Sequence, residues 1–135
     1  SFNFIVPPSI KEAGKEKWFK DKMKDVQAWY DELMETLNST GKNACEDARF
    51  LLPNAIETKI IITMNARELL HFFKIRCCNR AQWEIRDLAA EMLRQVKSLA
   101  PNIFLKAGPG CLNSKCPEGK MTCGKIDEVR NKFKN

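Results

Sequence analysis

Residues 65–88 limit what this chain can fold into more than any other stretch. They read Asn-Ala-Arg-Glu-Leu-Leu-His-Phe-Phe-Lys-Ile-Arg-Cys-Cys-Asn-Arg-Ala-Gln-Trp-Glu-Ile-Arg-Asp-Leu, two helix starts in succession. Asn65 is placed to cap the first helix, with Glu68 at the third position reaching back to the Asn65 backbone N–H, and Asn79 with Gln82 repeats the arrangement. Cys77-Cys78 then forms the corner between two helices. On the first helix Arg67, His71 and Lys74 share a face by their four- and three-residue offsets, while Leu69, Leu70, Phe72 and Phe73 supply the apolar remainder. Arg76 ends that helix and Arg80 opens the next, where a cation opposes the helix macrodipole; the placement suits an anion bridging the corner. A solvated basic face beside a packed core explains the same spacing and is the plainer reading.

A length of 135 residues with 44% apolar side chains predicts one domain with a single core. The net charge of +6 favours an anionic partner, yet acids are interleaved with the bases, so charge does not select nucleic acid over a phosphorylated metabolite. No run approaches membrane-spanning length, and Ser-Phe-Asn-Phe-Ile-Val-Pro-Pro lacks the parts of a signal peptide. The expectation is a cytoplasmic protein with no membrane partner, its six cysteines reduced and without structural disulfides.

Phe2, Phe4 and Val6 alternate in the manner of a strand that the chain enters already begun, and Pro7-Pro8 ends it. Phe19, Met23, Val26, Tyr30, Leu33 and Leu37 follow at helical steps, with lysines and acids mixed over the other faces in a pattern that favours intrahelical pairs. Asn38-Ser39-Thr40-Gly41 closes this helix, and Asn43 with Glu46 starts a short one that carries Arg49 and ends before Pro53. Residues 58–63, Thr-Lys-Ile-Ile-Ile-Thr, are rich in β-branched side chains and predict a strand covered on both faces. Beyond the corner, Ile85, Leu88, Ala89, Met92, Val96 and Leu99 again keep helical spacing until Pro101. The predicted fold class is α+β and mainly helical: two long helices, residues 15–37 and 80–99, packed around a short buried strand at residues 60–63.

From Gly108 the composition turns to glycine, proline and cysteine. Cys111, Cys116 and Cys123 invite a zinc reading, but they lack a Cys-x-x-Cys pair and a fourth ligand, so no metal is assigned. The only histidine, His71, has no identifiable thiol to activate, and no phosphate loop or Gly-x-Gly-x-x-Gly occurs. From the residues alone the chain offers a cationic helix corner, Arg49 near it in sequence, and an anionic ligand.

Four segments carry a resemblance: Ala48-Arg49-Phe50-Leu51-Leu52-Pro53, Thr63-Met64-Asn65-Ala66-Arg67, Leu70-His71-Phe72, and Arg76 followed by Ala81-Gln82-Trp83-Glu84-Ile85-Arg86. Together they resemble flavin-dependent thymidylate synthase. The resemblance implies reductive methylation of dUMP to dTMP, with methylene-tetrahydrofolate giving the carbon, NADPH the electrons and FAD the hydride, in a homotetramer. It implies that Arg49 and Arg76 bind dUMP, with Arg76 acting catalytically where charge grows on the pyrimidine, and that Asn65, Arg67 and His71 approach the FAD ring. The family's amino-terminal Arg-His-Arg flavin motif has no counterpart here, so residues 1–135 read as a carboxy-terminal portion of such a domain, with 108–135 a Cys-bearing tail. A non-catalytic basic module for RNA or a protein partner is the alternative. The corner lacks the interleaved aromatic residues that stacking on nucleic acid requires, so nucleic acid is not expected.

Overall fold

A computed structural model of the chain describes residues 1–38 and 44–134. The chain divides into two compact units, Ser1–Ile61 and Ile62–Asn135.

In the first unit α1 (Pro8–Glu12) begins with proline where an N–H has no helical partner, and Gly14, at φ 67°, turns the chain into α2 (Glu16–Asn38). The exposed side of α2 is laced by Glu16–Lys20, Lys22–Asp25 and Asp21–Lys24 ion pairs. Met23 is its buried residue, and α3 (Ala44–Ala48) packs against α2 through Ala44 and Ala48. A 3-10 turn, Arg49–Leu51, follows directly. The amino-terminal segment is fixed by Phe2 N–H donating to Gln27 Oε1 (3.0 Å), an edge-on Phe2–Tyr30 pair and a tilted Phe4–Phe19 pair. The expected closing Ser39-Thr40-Gly41 and the Asn43 cap lie outside the described residues.

In the second unit α4 (Ala66–Arg76) and α5 (Trp83–Leu99) pack together, with α6 (Pro101–Phe104) turning back against α5. A loop with a 3-10 turn at Gly119–Met121 then leads to α7 (Ile126–Phe133). Phe73, Cys77, Ala89, Leu93, Phe104 and Phe133 lie in one buried cluster, with Phe104 edge-on to Phe73 at 6.1 Å between centroids. Pro101 opens α6 instead of merely stopping α5, because the break falls at Ala100, where the backbone is extended enough to restart a helix.

The α+β expectation is overturned. Among the described residues there is no strand, only a single antiparallel bridge between Phe4 and Ile56, held by Ile5 N–H to Ala55 O (2.8 Å) and Glu57 N–H to Asn3 O (2.9 Å). Ile60, Ile61 and Ile62 are 77%, 98% and 61% exposed, so they are not the centre of a core. A β-branched run favours an extended backbone, but a strand exists only where a neighbour pairs its N–H and C=O groups, and among the described residues none does so. The two long helices belong to different units.

Two finer expectations also change. Helix α5 starts at Trp83, not Arg80, because the Gln82 side chain accepts from Glu84 N–H (2.9 Å) and Ile85 N–H (3.1 Å); Asn79 instead offers its carbonyl to the Arg86 guanidinium. On α5, Leu88 and Leu99 are exposed, and Leu93 supplies the buried leucine.

Candidate functional site

The first helix start is built as its residues dictate. Asn65 Oδ1 accepts from Glu68 N–H at 3.0 Å, and the Asn65 backbone is extended as an N-cap requires. Leu69, Phe73 and Cys77, four residues apart, are turned to the core, Phe73 and Cys77 being fully buried. This anchors α4 and leaves its other side free. That side carries Met64, Glu68, His71, Phe72, Ile75 and Arg76 around a recess of about 270 Å³. Its lining combines the apolar Met64, Phe72 and Ile75 with an imidazole, a guanidinium and a carboxylate.

The structure therefore groups His71 with Arg76, a different partnership from the Arg67–His71–Lys74 row. Arg67 is exposed on α4 but does not line the recess. Lys74 borders a separate recess of about 200 Å³ with Leu70, Lys106 and the Gly108-Pro109-Gly110 turn. Among the described residues Arg67, His71 and Arg76 make no side-chain hydrogen bond or ion pair, so their polar groups are available. Arg80, expected to face an anion at the corner, donates to Met121 O at 2.8 Å.

Arg49 belongs to the other unit, at the start of the 3-10 turn, where its Nε donates to Cys45 O at 3.0 Å. It borders its own open recess with Glu46 and the 91%-exposed Phe50. Asn65 lies one residue beyond Met64, with its side-chain oxygen already engaged in the cap. Met64, Glu68 and Ile75 also line the recess, and Met64, Glu68, His71 and Ile75 follow a four-three-four helical series readable in the sequence.

All six cysteines are free. Burial pushes the Cys77 thiol from 9.0 up to about 11, which keeps it protonated and unreactive as a nucleophile near neutrality. Among the described residues no three His, Cys, Asp or Glu side chains are already arranged to hold a metal ion. No described helix is long and apolar enough to cross a membrane.

A family model described as thymidylate synthase complementing protein, Thy1, matches residues 1–102. The chain is 72% identical over 89 residues to a flavin-dependent thymidylate synthase of Geobacter sulfurreducens, covering 66% of this chain and 38% of that protein. It is 50% identical over 141 residues to a flavin-dependent thymidylate synthase of Clostridium tetani, covering 96% of this chain and 57% of the relative. A third, from Nitratidesulfovibrio vulgaris, is 45% identical over 130 residues, 92% of this chain and 53% of the relative. The chain thus spans about half the length of the curated relatives it matches.

Proposed function

The chain belongs to the Thy1 family, thymidylate synthase complementing protein, and on that premise we propose that it supplies part of the dUMP and flavin site of a synthase that methylates dUMP to dTMP. The observation that carries the reading is the match over residues 1–102, which includes Arg49, all of α4 and the corner. In this reading residues 1–135 are a carboxy-terminal portion of the synthase, 108–135 its Cys-bearing tail, and the assembled enzyme is a cytoplasmic homotetramer.

FAD, when bound, supplies the hydride chemistry, with methylene-tetrahydrofolate and NADPH as co-substrates. The residues of α4 suit one edge of such a ring: Phe72 and Ile75 offer apolar contact, and His71 stands beside them with its polar atoms unpaired. Asn65 spends its oxygen on Glu68 N–H and keeps its amide N–H groups for a ring carbonyl, while Arg67 stands on the same helix as a free cation. A recess of about 270 Å³ lies below the roughly 300–1,000 Å³ of sites that enclose a small molecule. It receives an edge of the cofactor, and the rest of the site comes from other parts of the assembled enzyme. Arg76, at the last position of a helix anchored by Phe73 and Cys77, presents a fixed positive charge where a reduced pyrimidine would carry negative charge. Arg49 is the second cation for dUMP.

In the complete synthase that carries this chain, Arg76→Ala should weaken dUMP binding by about 1.5–3 kcal/mol, the loss of a charge-assisted contact. Isothermal calorimetry measures it. A change below about 0.5 kcal/mol, the ordinary effect of an exposed substitution, would remove Arg76 from the substrate site.

A further inference from the structure

The loop joining α6 to α7 is anchored at its start, where Ala107 and Cys111 are buried and Leu112 and Cys116 pack against the core. None of residues 112–125 is buried, and Met121, its one methionine, is 58% exposed. Polar bonds add to this: Arg130 Nε donates to Cys111 O (3.0 Å) and its Nη2 to Ser114 O (2.9 Å), Asn113 donates to Lys106 O (2.9 Å), and Arg80 donates to Met121 O (2.8 Å). Residues 117–125, none of them buried or packed against that core, need another means of closing onto the fold.

Those same bonds bring the tail to the helix corner. Gly110 N–H donates to Lys74 O (3.1 Å), so the residue before Cys111 is tied to α4 one turn ahead of Cys78. The Arg80–Met121 bond ties the segment before Cys123 to the chain just after Cys78. Pro117 lies so close to Gly110 that a Cβ there would stand 2.9 Å from Pro117 Cγ, which folds the residue after Cys116 back onto the residue before Cys111. Cys77, Cys111 and Cys116 share one cluster, in which Cys77 and Cys111 are buried.

We propose that Cys78, Cys111, Cys116 and Cys123 form a four-thiolate site for zinc, a soft divalent cation, closing the tail onto the α4–α5 corner. The tail supplies three thiols, and the fourth ligand is Cys78, which the fold brings from the helix corner. Four thiolates crowded together repel, and a divalent cation is what converts that repulsion into attraction. Zinc binding displaces one proton from each thiol to solvent and leaves a tetrahedral centre of net charge −2, with no change of oxidation state.

With Cys111 buried and Cys116 packed against the core, closing the site asks residues 117–125, which carry Cys123 and hold no buried side chain, to shift. Gly124, directly after Cys123, holds φ 72° with open space around it; the tight turn of a thiolate knuckle needs such a backbone.

The test uses the 135-residue chain, reduced and then dialysed with Zn²⁺ or Co²⁺. We expect one zinc per chain by mass spectrometry of metals, and with Co²⁺ the intense visible bands of tetrahedral thiolate ligation. Cys78→Ser and Cys123→Ser should each weaken Co²⁺ binding by more than about 100-fold, beyond the 10–100-fold of a change outside the ligand set. Cys45→Ser, on the exposed face of α3, should leave it unchanged. Absence of tetrahedral cobalt bands in the wild-type chain overturns the proposal. So does unchanged affinity in Cys78→Ser, or a titration in which zinc protects none of the wild-type thiols from a thiol reagent.

Discussion

Within Ile62–Asn135 large side chains are removed from water: Phe73 and Leu93 almost completely, with Phe104, Val129 and Phe133 beside them. Within Ser1–Ile61 the buried hydrophobic side chains among the described residues are Met23 and two alanines, while Trp18, Trp29 and Phe50 stay 58%, 54% and 91% exposed. The contrast bears on function. Arg76 and His71 ride on a helix whose opposite side is locked into a packed cluster, so their positions are set by burial, whereas Arg49 sits on a three-residue turn against a thin core. A side chain on a well-packed helix has its backbone fixed before any ligand arrives, whereas the Arg49 guanidinium, on a short turn, is positioned by its bond to Cys45 O.

Core truncation tests this contrast most severely. Phe73→Ala should destabilise the second unit by about 3–5 kcal/mol, because a fully buried ring between Phe72 and Phe104 leaves a cavity its neighbours cannot fill. Met23→Ala in the first unit should cost about 2 kcal/mol, the low end for such a change, since partly exposed surroundings can collapse or admit water. Hydrogen exchange followed separately in the two units measures both. Equal losses would show that the first unit is packed as tightly as the second.

Local rules made parts of this readable in advance. Asn65 and Glu68 are three residues apart, and a cap is decided within that distance, so the start of α4 followed from sequence. The Ile60–Ile62 run was misread because β-branching reports backbone preference, not the presence of a pairing neighbour. At the corner, Asn79 and Gln82 were both competent to cap, and local pattern does not rank them; the Arg86 guanidinium on the Asn79 carbonyl is a tertiary contact. The recess beside His71 includes Met64 and Ile75, apolar residues that a search for polar groups passes over. The nearness of the corner to the tail depends on Arg80 donating to Met121 O and on Lys74 O accepting from Gly110 N–H, partners far along the chain.

Alkaline pH should separate the units by a different route. Cys77 is held protonated to about 11 by burial, against 9.0 for an ordinary thiol, so below pH 9 both folded and unfolded states carry the proton and the contribution is fully present. As pH rises from 9 to about 11 the unfolded chain loses the proton first, and the stability of the second unit falls. Urea midpoints for this unit should drop across that window and drop less in Cys77→Ala. An identical slope in the variant would exclude Cys77 as its source.

The smallest effect expected concerns where α4 begins, and it contrasts with α1, whose N-cap, Pro7, offers no side-chain hydrogen bond. Asn65 closes the first turn of α4 by accepting from Glu68 N–H, so Asn65→Ala should cost about 1 kcal/mol by leaving that donor to water. Asn65→Gly should cost only a few tenths, roughly, because glycine leaves the helix end open to solvent and adopts the cap backbone freely. Asn65→Asp keeps an acceptor for Glu68 N–H and adds a negative charge at the positive end of the helix dipole, so stability should hold or rise slightly. That variant also removes the amide N–H groups proposed to meet the flavin. In the complete synthase it should therefore bind flavin more weakly while melting no lower than wild type, as read by flavin absorbance and calorimetry on one sample. If Asn65→Ala and Asn65→Gly are equally destabilising, the cap does not hold the start of α4, and the fixed position of the His71–Arg76 face rests on Phe73 and Cys77 alone.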